Sequence, residues 1–237
     1  MNKPKVYVAL SADILHHGHI NIFKEASNFG NIVVGLLTDR AIAEYKRLPL
    51  LNFDQRKIIV ENIKGVVEVV EQDTWSYKKN LLKIKPEYVV HGDDWKVGHQ
   101  EKYRKEVIDL LSNWGGQVVD IPYTKDINST DINQALNQIG TTSSSRLKSL
   151  RRMLDAKQYL RFLDIHNGLS ALIIENISYE GKDKIREFDG MWASSLTDST
   201  SKGKPDIEAV DFTSRISSLN EILEVTTKPI IYDADTG

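Results

Sequence analysis

The chain has 237 residues, of which 41% are hydrophobic and 27% are charged, and its formal net charge is −2. This balance is typical of a globular protein of one large or two small domains, and so small a charge gives no general attraction to nucleic acid or to a membrane surface. The absence of cysteine excludes disulfides, a thiolate zinc site and a cysteine nucleophile, and no apolar run approaches the ~20 residues of a membrane helix, so we expect a cytoplasmic protein.

Strands and helices alternate through the first part of the sequence. Short apolar runs predict strands, and amphipathic runs that follow polar capping residues predict helices. The predicted strands are 5–10, 31–38, 66–72, 87–95 and 117–124, and the predicted helices are 19–30, 52–66, 75–86, 101–116 and 129–140. This alternation predicts an α/β fold with a parallel sheet and helices on both faces.

A small polar stretch, GTTSSSR at 140–146, separates this part from the rest, and we interpret it as a linker between domains 1–139 and 147–237. After it we predict a basic helix, two apolar strands and a last strand, over 146–168, 169–177, 188–196 and 228–237. Because the sequence stops directly after that strand, we expect it to be a piece of a longer protein.

Three of the six histidines stand together as His16, His17 and His19, around Gly18, between a predicted strand and a predicted helix. Ligands of open parallel sheets bind beyond the carboxyl ends of strands, where a helix N-terminus offers unpaired N–H groups to phosphate. Gly18 allows close backbone approach, and imidazoles donate to phosphate oxygens, more strongly when charged. Phosphate binding is therefore favoured over a surface or capping cluster and over a zinc site.

The stretch ADILHHGHINIFKEA resembles the H-x-G-H signature of the cytidylyltransferase-type nucleotidyltransferases, of which glycerol-3-phosphate cytidylyltransferases are the nearest kind. Three further stretches match in the same order: EYKRLPLLNFDQRKIIVENI, with Lys46 and Arg56; YVVHGDDW, ending in Gly92–Trp95; and IPYTKDINSTDI. The resemblance implies a Rossmann-like nucleotidyltransferase fold for this part of the chain.

The implied reaction is attack of an acceptor phosphate or phosphonate oxygen on the α-phosphorus of CTP, with Mg²⁺ shielding the triphosphate. Carried over from the family, the catalytic residues are His16, His19, Lys46 and Thr130. The nucleotide-binding residues would be Gly18, Arg56, Gly92, Asp93, Asp94, Trp95, Thr124 and Ser129. For the turn at Gly92–Trp95, nucleoside recognition and a simple turn with a packing tryptophan stand as equal alternatives.

The last of these stretches departs from the family pattern. Tyr123 stands where the family has arginine, and Asp126 where it has glycine. Losing that arginine removes a bidentate phosphate donor. We interpret the change as an altered choice of acceptor more readily than as loss of activity.

The second part carries another resemblance, in FLDIHNGLSALIIE, FDGMWASSLTDSTSKGKPD and PIIYDADTG. These stretches resemble the N-terminal portion of phosphoenolpyruvate mutase, of the isocitrate lyase superfamily, which converts phosphoenolpyruvate to phosphonopyruvate. The resemblance implies phosphoenolpyruvate binding by Trp192, Ala193, Ser194 and Leu196, an aspartate beside the transferring group at Asp206, and Mg²⁺ ligands at Asp233 and Asp235. Ser195 stands where the family has glycine. The alternative to a mutase-like site is that DADTG is an acidic turn and that Trp192 is a core residue.

A (β/α)8 barrel needs ~250 residues, and fewer than a hundred follow the linker. The family's mobile E-D-K loop is absent as well. We therefore expect an incomplete barrel that does not catalyse the mutase reaction in this form.

The pairing of the two parts suggests phosphonate biosynthesis, with a phosphonate activated as its CMP derivative. An adenylyltransferase of the same superfamily and a non-catalytic CTP-binding module are the alternatives. We expect CTP and a small acceptor as partners, a homo-oligomer as the assembly, and neither nucleic acid nor membrane as a ligand.

Overall fold

The computed structural model of the protein describes residues 3–45, 47–122, 143–180 and 185–235, which belong to two compact units, Met1–Asn133 and Gln134–Gly237. The first residues of the interpreted linker, 140–142, lie outside the described residues, whereas 143–146 already begin a helix. No helix in the described ranges is long and apolar enough to cross a membrane.

The first unit alternates strands and helices as its sequence predicts. Its elements are, in chain order, β1 (Lys5–Leu10), α1 (His17–Ser27), β2 (Asn31–Leu37), α2 (Asp39–Ala43), α3 (Phe53–Glu61), β3 (Val66–Gln72), α4 (Lys78–Ile84), β4 (Tyr88–Gly92), α5 (Glu101–Ser112) and β5 (Gln117–Ile121). Two short 3₁₀ turns, Asp93–Lys96 and Gly98–Gln100, connect β4 to α5.

The five strands form one parallel sheet in the order β3-β2-β1-β4-β5. Successive side chains of a strand point to opposite faces, so β1 supplies Val6 and Val8 to one core and Tyr7 and Ala9 to the other. Helices cover both faces, which confirms the predicted α/β class. All carboxyl strand ends meet at one edge, and the residues discussed below lie along it.

The helix boundaries follow local capping chemistry. Asn52, the first residue of the predicted helix 52–66, caps α3 and exchanges hydrogen bonds with Gln55. In contrast, α1 ends at Ser27 rather than at Gly30, whose backbone approaches Pro4 so closely that a Cβ would lie 2.0 Å from the Pro4 carbonyl oxygen. The five-residue helix α2 is too short to show a periodic pattern and is not predicted.

The second unit is a smaller α/β arrangement. Its elements are α6 (Ser143–Ala156), β6 (Phe162–Ile165), α7 (Gly168–Asn176), β7 (Tyr179–Glu180), β8 (Ile185–Arg186), β9 (Gly190–Ala193), α8 (Ser195–Ser201), α9 (Phe212–Val225) and β10 (Ile230–Tyr232). The strands β10-β9-β6 form a parallel sheet, and β7 and β8 pair as a small antiparallel ribbon.

Two sequence predictions in this unit are wrong. The expected strand 169–177 is the helix α7, which Asn167 and Ser170 start with a reciprocal capping box. Apolar residues lie on all sides of this helix, with Ile174 buried and Ile173 exposed. The sequence therefore shows no spacing of apolar residues that is typical of a helix. The expected helix 146–168 ends at Ala156, and its last part contains β6, while α9 is not predicted at all.

The three-stranded sheet is covered on one face. Ile165, Met191 and Ala193 pack there with Ile222 of α9. On the other face of the same strands, Asp164 is exposed and Trp192, its partner on β9, is 39% exposed. An open parallel sheet covered by helices on one side agrees with the start of a (β/α) barrel, as the sequence predicts.

Candidate functional site

The histidine cluster lies where α1 begins, beyond the carboxyl end of β1. His16 is the N-cap of α1, and its Nδ1 accepts a hydrogen bond from the backbone N–H of Gly18 at 3.2 Å. The backbone N–H of His16 in turn donates to Nδ1 of His19 at 3.4 Å. This is a capping box built from two histidines. The two ring centroids are 4.1 Å apart, so the imidazoles lie side by side at the helix N-terminus.

These capping bonds determine which nitrogen of each ring carries the proton. A ring nitrogen that accepts an N–H bond is unprotonated, so the neutral rings of His16 and His19 carry their proton on Nε2. Burial, assisted by the charge of His17, lowers the pKa of His16 and favours its neutral form. His16 therefore acts as a neutral donor, whereas the sequence also suggested a charged one.

The positive character of the site comes from the helix. The first N–H groups of α1 have no partner within the helix and carry the positive end of its dipole. The rings of His16 and His19 lie at the same end of the helix. Within the described ranges, no three histidine, cysteine, aspartate or glutamate side chains lie together as a metal-binding group. His16 and His19 thus cap the helix at the place where the sequence analysis expects an anion to bind.

The loop that delivers His16 has a strained backbone. Ala12 is buried and adopts a φ of 51°, in the left-handed region that costs a non-glycine residue roughly 1 kcal/mol or more. The neighbouring Asp13 accepts a hydrogen bond from the backbone N–H of Leu50 at 2.7 Å. This bond holds the loop on the C-terminal side of Ala12, and Arg56 holds it on the N-terminal side through Ser11.

Arg56, a fully buried residue of α3, contacts the histidine loop at Ser11. Its guanidinium donates to the carbonyl oxygens of Ser11, Leu37 and Leu51. It also pairs with Asp39 at 2.6 Å. The side chain predicted to bind nucleotide thus ties together the carboxyl ends of β1 and β2, and the role that this geometry supports is positioning of the histidine loop.

The turn Gly92–Trp95 follows β4 at the same edge of the sheet. A Cβ at Gly92 would lie 2.7 Å from Oδ1 of Asp94, so a larger residue there would displace that carboxylate. Trp95 is fully buried and stacks on His91, with ring centroids 4.3 Å apart. It is therefore a packing tryptophan, whereas Asp93 is half-buried and the Asp94 side chain is 52% exposed. A hydrogen bond with His91 lowers the pKa of Asp94, so its carboxylate is ionised.

Asp120 of β5 supports this turn and was missed by the sequence analysis. Trp95 Nε1 donates to Asp120 Oδ1 at 2.7 Å, and Arg104 and Lys96 approach Oδ2 at 2.8 and 3.2 Å. Burial alone would raise the pKa of Asp120, but the hydrogen bonds from Arg104, Trp95 and Lys96 lower it to about 2. A single acidic residue in a strand carries no local signal of such a pairing.

Several residues assigned by the family resemblance lie outside the described residues. They are Lys46, Thr124, Ser129 and Thr130, together with the departures at Tyr123 and Asp126. Their roles remain predictions.

In the second unit, the residues predicted to bind phosphoenolpyruvate follow one another at the end of β9. Ala193 is buried, Trp192 is partly exposed, and Leu196 is 58% exposed on α8. Ser194 caps α8 and accepts from the backbone N–H of Thr197. Among the described residues, none forms a hydrogen bond or ion pair with Asp206, which is exposed between α8 and α9.

The two predicted magnesium ligands have protein partners. Asp233 Oδ2 accepts from the Ser195 hydroxyl at 3.0 Å, and its Oδ1 accepts from the backbone N–H of Asp235 at 3.1 Å. The Asp235 backbone bond, with help from Ser195, lowers the pKa of Asp233. Asp235 forms an ion pair with Arg215, a buried arginine of α9 that also donates to the Asp233 carbonyl oxygen.

This arrangement does not fit a magnesium site made by two carboxylates. Asp235 already pairs with Arg215, which also lies 3.7 Å from Asp198, so the Asp235 carboxylate would have to leave this arginine to bind a divalent ion. Ser195, the hydroxyl that replaces a family glycine, occupies one oxygen of Asp233. Neither Arg215 nor this use of Ser195 follows from the sequence pattern, because both contacts join residues far apart in the chain.

Comparison with known proteins assigns the first unit. The cytidylyltransferase-like family matches residues 11–135, which are 125 of the 237 residues. The match includes the histidine capping box, the buried Arg56 and the Gly92–Trp95 turn. The chain therefore belongs to the cytidylyltransferase-like family, and its first unit is a nucleotidyltransferase-type enzyme domain.

The similar curated proteins include enzymes with different substrates. A FAD synthase from Ferroglobus placidus is 29% identical over 150 residues, which cover 62% of this chain and 95% of the relative. The glycerol-3-phosphate cytidylyltransferase of Bacillus subtilis is 30% identical over 134 residues, which cover 56% and 96%. The ethanolamine-phosphate cytidylyltransferase of Arabidopsis thaliana is 28% identical over 136 residues, which cover 54% and 31%.

The second unit has its own similarity. Residues 150–237 match the phosphoenolpyruvate phosphomutase family. This match contains the end of β9 and the Asp233–Asp235 turn, where the sequence placed the mutase motifs. It covers 88 of the 237 residues, which is less than half of the chain.

Replacing Arg56 tests whether its buried guanidinium holds the strand ends. We expect Arg56→Met to lower the free energy of unfolding of the first unit by about 3–5 kcal/mol, because Asp39 loses its partner in a buried site. Three of the four tryptophans lie in that unit, so urea denaturation followed by tryptophan fluorescence reports on it.

Arg40→Met is the matched control, because Arg40 is exposed on the neighbouring helix α2. A surface substitution of this kind changes the free energy of unfolding by no more than about 0.5 kcal/mol. Equal stability of the two variants would contradict the role given to Arg56.

Proposed function

We propose that the chain transfers CMP from CTP to a phosphonate or phosphate acceptor and releases pyrophosphate. The observation that carries the proposal is the capping box of His16 and His19 at the N-terminus of α1, in which Nδ1 of each ring accepts a backbone N–H and Nε2 is therefore the donor nitrogen. They stand at the carboxyl edge of a parallel sheet, where such folds bind nucleotides. Membership of the cytidylyltransferase-like family supports the same reaction class.

In the proposed reaction, an acceptor oxygen forms a bond to the α-phosphorus of CTP. The bond from that phosphorus to the bridging oxygen breaks, and pyrophosphate leaves with the electron pair. Charge develops on the oxygens around the α-phosphorus, where His16 and His19 donate hydrogen bonds in a fixed direction. The buried Gly18 leaves room for the phosphate chain beside the helix N-terminus.

Further charge on the triphosphate needs further partners. Lys46 and Thr130 are proposed to contact it, with Thr124 and Ser129 beside them, on the strength of the family motifs alone. Mg²⁺ is proposed to enter bound to the triphosphate oxygens, where it neutralises their charge. Arg56 is proposed to affect nucleotide binding only indirectly, by positioning the histidine loop.

CTP is the favoured donor. Two of the three relatives described above are cytidylyltransferases, and one of them shares 30% identity over nearly its whole length. The similarity to a FAD synthase makes ATP the other donor to be tested. The Gly92–Trp95 turn, with ionised Asp94 facing solvent, is proposed to contact the nucleoside.

A phosphonate is the favoured acceptor. The second unit is similar to phosphoenolpyruvate phosphomutase, whose name states a rearrangement of a phosphoryl compound. The family resemblance makes phosphonopyruvate the product of such an enzyme. A phosphonate derived from that product would then be the acceptor to which the first unit transfers CMP. Tyr123, in place of a family arginine, fits an acceptor other than glycerol phosphate.

The second unit is proposed to bind phosphoenolpyruvate through Trp192, Ala193, Ser194 and Leu196. Asp206 would lie beside the transferring group there. Incubation of the chain with phosphoenolpyruvate and Mg²⁺, followed by ³¹P NMR, is expected to give no phosphonate signal, because three strands do not enclose a substrate. A phosphonopyruvate signal would contradict this proposal.

We also propose that the protein acts in the cytoplasm as a homo-oligomer, without nucleic acid or membrane partners. Its small net charge is consistent with this proposal.

A pyrophosphate-release assay tests the main proposal directly. With CTP and Mg²⁺ present, we expect release that depends on the acceptor, in a panel of 2-aminoethylphosphonate, 2-hydroxyethylphosphonate, glycerol phosphate and ethanolamine phosphate. His16→Ala and His19→Ala should each lower kcat by about 10²–10³, because each removes one preorganised donor.

His17→Ala is the matched control, since His17 is exposed and its side chain takes no part in the capping box. Its kcat should stay near that of the natural sequence. Turnover with ATP but not with CTP would favour an adenylyltransferase. CTP binding without any pyrophosphate release would instead favour a non-catalytic nucleotide-binding module.

A further inference from the structure

One hydrogen bond holds the Gly92–Trp95 turn from its inner side. The indole N–H of the fully buried Trp95 donates to Asp120 Oδ1 at 2.7 Å. Asp120 lies on β5 directly opposite His91 of β4, and His91 is the ring on which Trp95 stacks. The bond therefore joins two neighbouring strands to the turn that follows one of them.

Two cations hold Asp120 in turn. Arg104 donates to Oδ2 at 2.8 Å, and the Lys96 ammonium lies 3.2 Å from the same oxygen. Because the carboxylate is ionised, the bond from Trp95 is charge-assisted and stronger than a neutral one. The indole uses mainly the other oxygen, so its removal leaves both ion pairs in place.

The position of Trp95 decides which side chains of the turn face outward. Residues 93–96 form a 3₁₀ turn, in which three residues complete one revolution. With Trp95 turned inward, Asp94 points to solvent and its Oδ1 stays 3.6 Å from His91 Nδ1. Carboxylates accept hydrogen bonds and therefore match the hydroxyl and amino donors of a nucleoside rather than its phosphates.

We propose that Asp120 is a positioning residue for the nucleotide, which acts through Trp95 to aim the Asp93 and Asp94 carboxylates at the nucleoside of CTP. The inference rests on the proposed function, because it takes CTP as the ligand at this edge of the sheet. Asp120 and Trp95 themselves touch no nucleotide. Their effect is on binding, since the reacting phosphorus belongs to the histidine end of the site.

Trp95→Phe tests the inference, because it keeps the ring against His91 and removes only the N–H donor. Trp114→Phe is the matched control. The Trp114 indole also donates one hydrogen bond, to the Pro86 carbonyl oxygen at 2.9 Å, but before the amino end of β4. Each variant is compared with the natural sequence in urea denaturation, in CTP binding by calorimetry, and in steady-state pyrophosphate release.

We expect Trp95→Phe to weaken CTP binding and raise KM by about tenfold, with kcat changed by less than about twofold, as the loss of one positioning hydrogen bond implies. Trp114→Phe should lose similar stability without a change in Kd or KM. Equal Kd values for Trp95→Phe and the natural sequence would overturn the inference. A rise in Kd for Trp114→Phe as large as the rise for Trp95→Phe would overturn it too.

Two variants of Asp120 keep the test decisive if Trp95→Phe does not fold. Asp120→Asn retains an oxygen acceptor for the indole and should bind CTP almost normally, whereas Asp120→Leu should behave like Trp95→Phe. Equal Kd values for the two Asp120 variants would reject the positioning role. If CTP binds without turnover, the transferase proposal fails while these Kd values still judge the inference. If CTP does not bind at all, both fail.

Discussion

The buried guanidinium of Arg56 is the contact on which the site at the sheet edge depends. Parallel strands bring their carboxyl ends together, but the loops beyond them have backbone carbonyls that the sheet does not satisfy. Arg56 donates to carbonyls of Ser11, Leu37 and Leu51 and pairs with Asp39. These bonds restrain the loop that contains the strained Ala12 and leads to the histidines.

Helix initiation and the proposed ligand binding use the same two side chains, His16 and His19, through different ring nitrogens. Each Nδ1 accepts a backbone N–H of the first turn, and the proton of each neutral ring is therefore on Nε2. An aspartate could cap the helix equally well, but its ionised carboxylate would offer no hydrogen-bond donor. The lowered pKa of His16 favours its neutral ring, and a neutral ring with a fixed tautomer donates from one nitrogen only.

The sequence predicted the parallel sheet of the first unit, the helix start at Asn52 and the place of the histidines, because each has a local pattern. It did not predict side-chain pairs between distant segments. Arg56 matched a family motif, yet its burial is visible only in the fold. Asp120 and Arg215 carry no motif, and their partners lie on other elements. The helix at 168–176 was predicted as a strand because its apolar residues show no helical period.

The tautomers of His16 and His19 give the most direct test of this account. Imidazole ¹⁵N chemical shifts of the histidine-labelled protein, assigned with single His→Gln variants, distinguish a protonated from an unprotonated ring nitrogen. The account predicts that both rings carry their proton on Nε2 and that the Nε2 resonances of these two rings shift when CTP is added, while those of the exposed His17 remain. Protonation of Nδ1 in either ring, or resonances that CTP leaves unchanged, would contradict it.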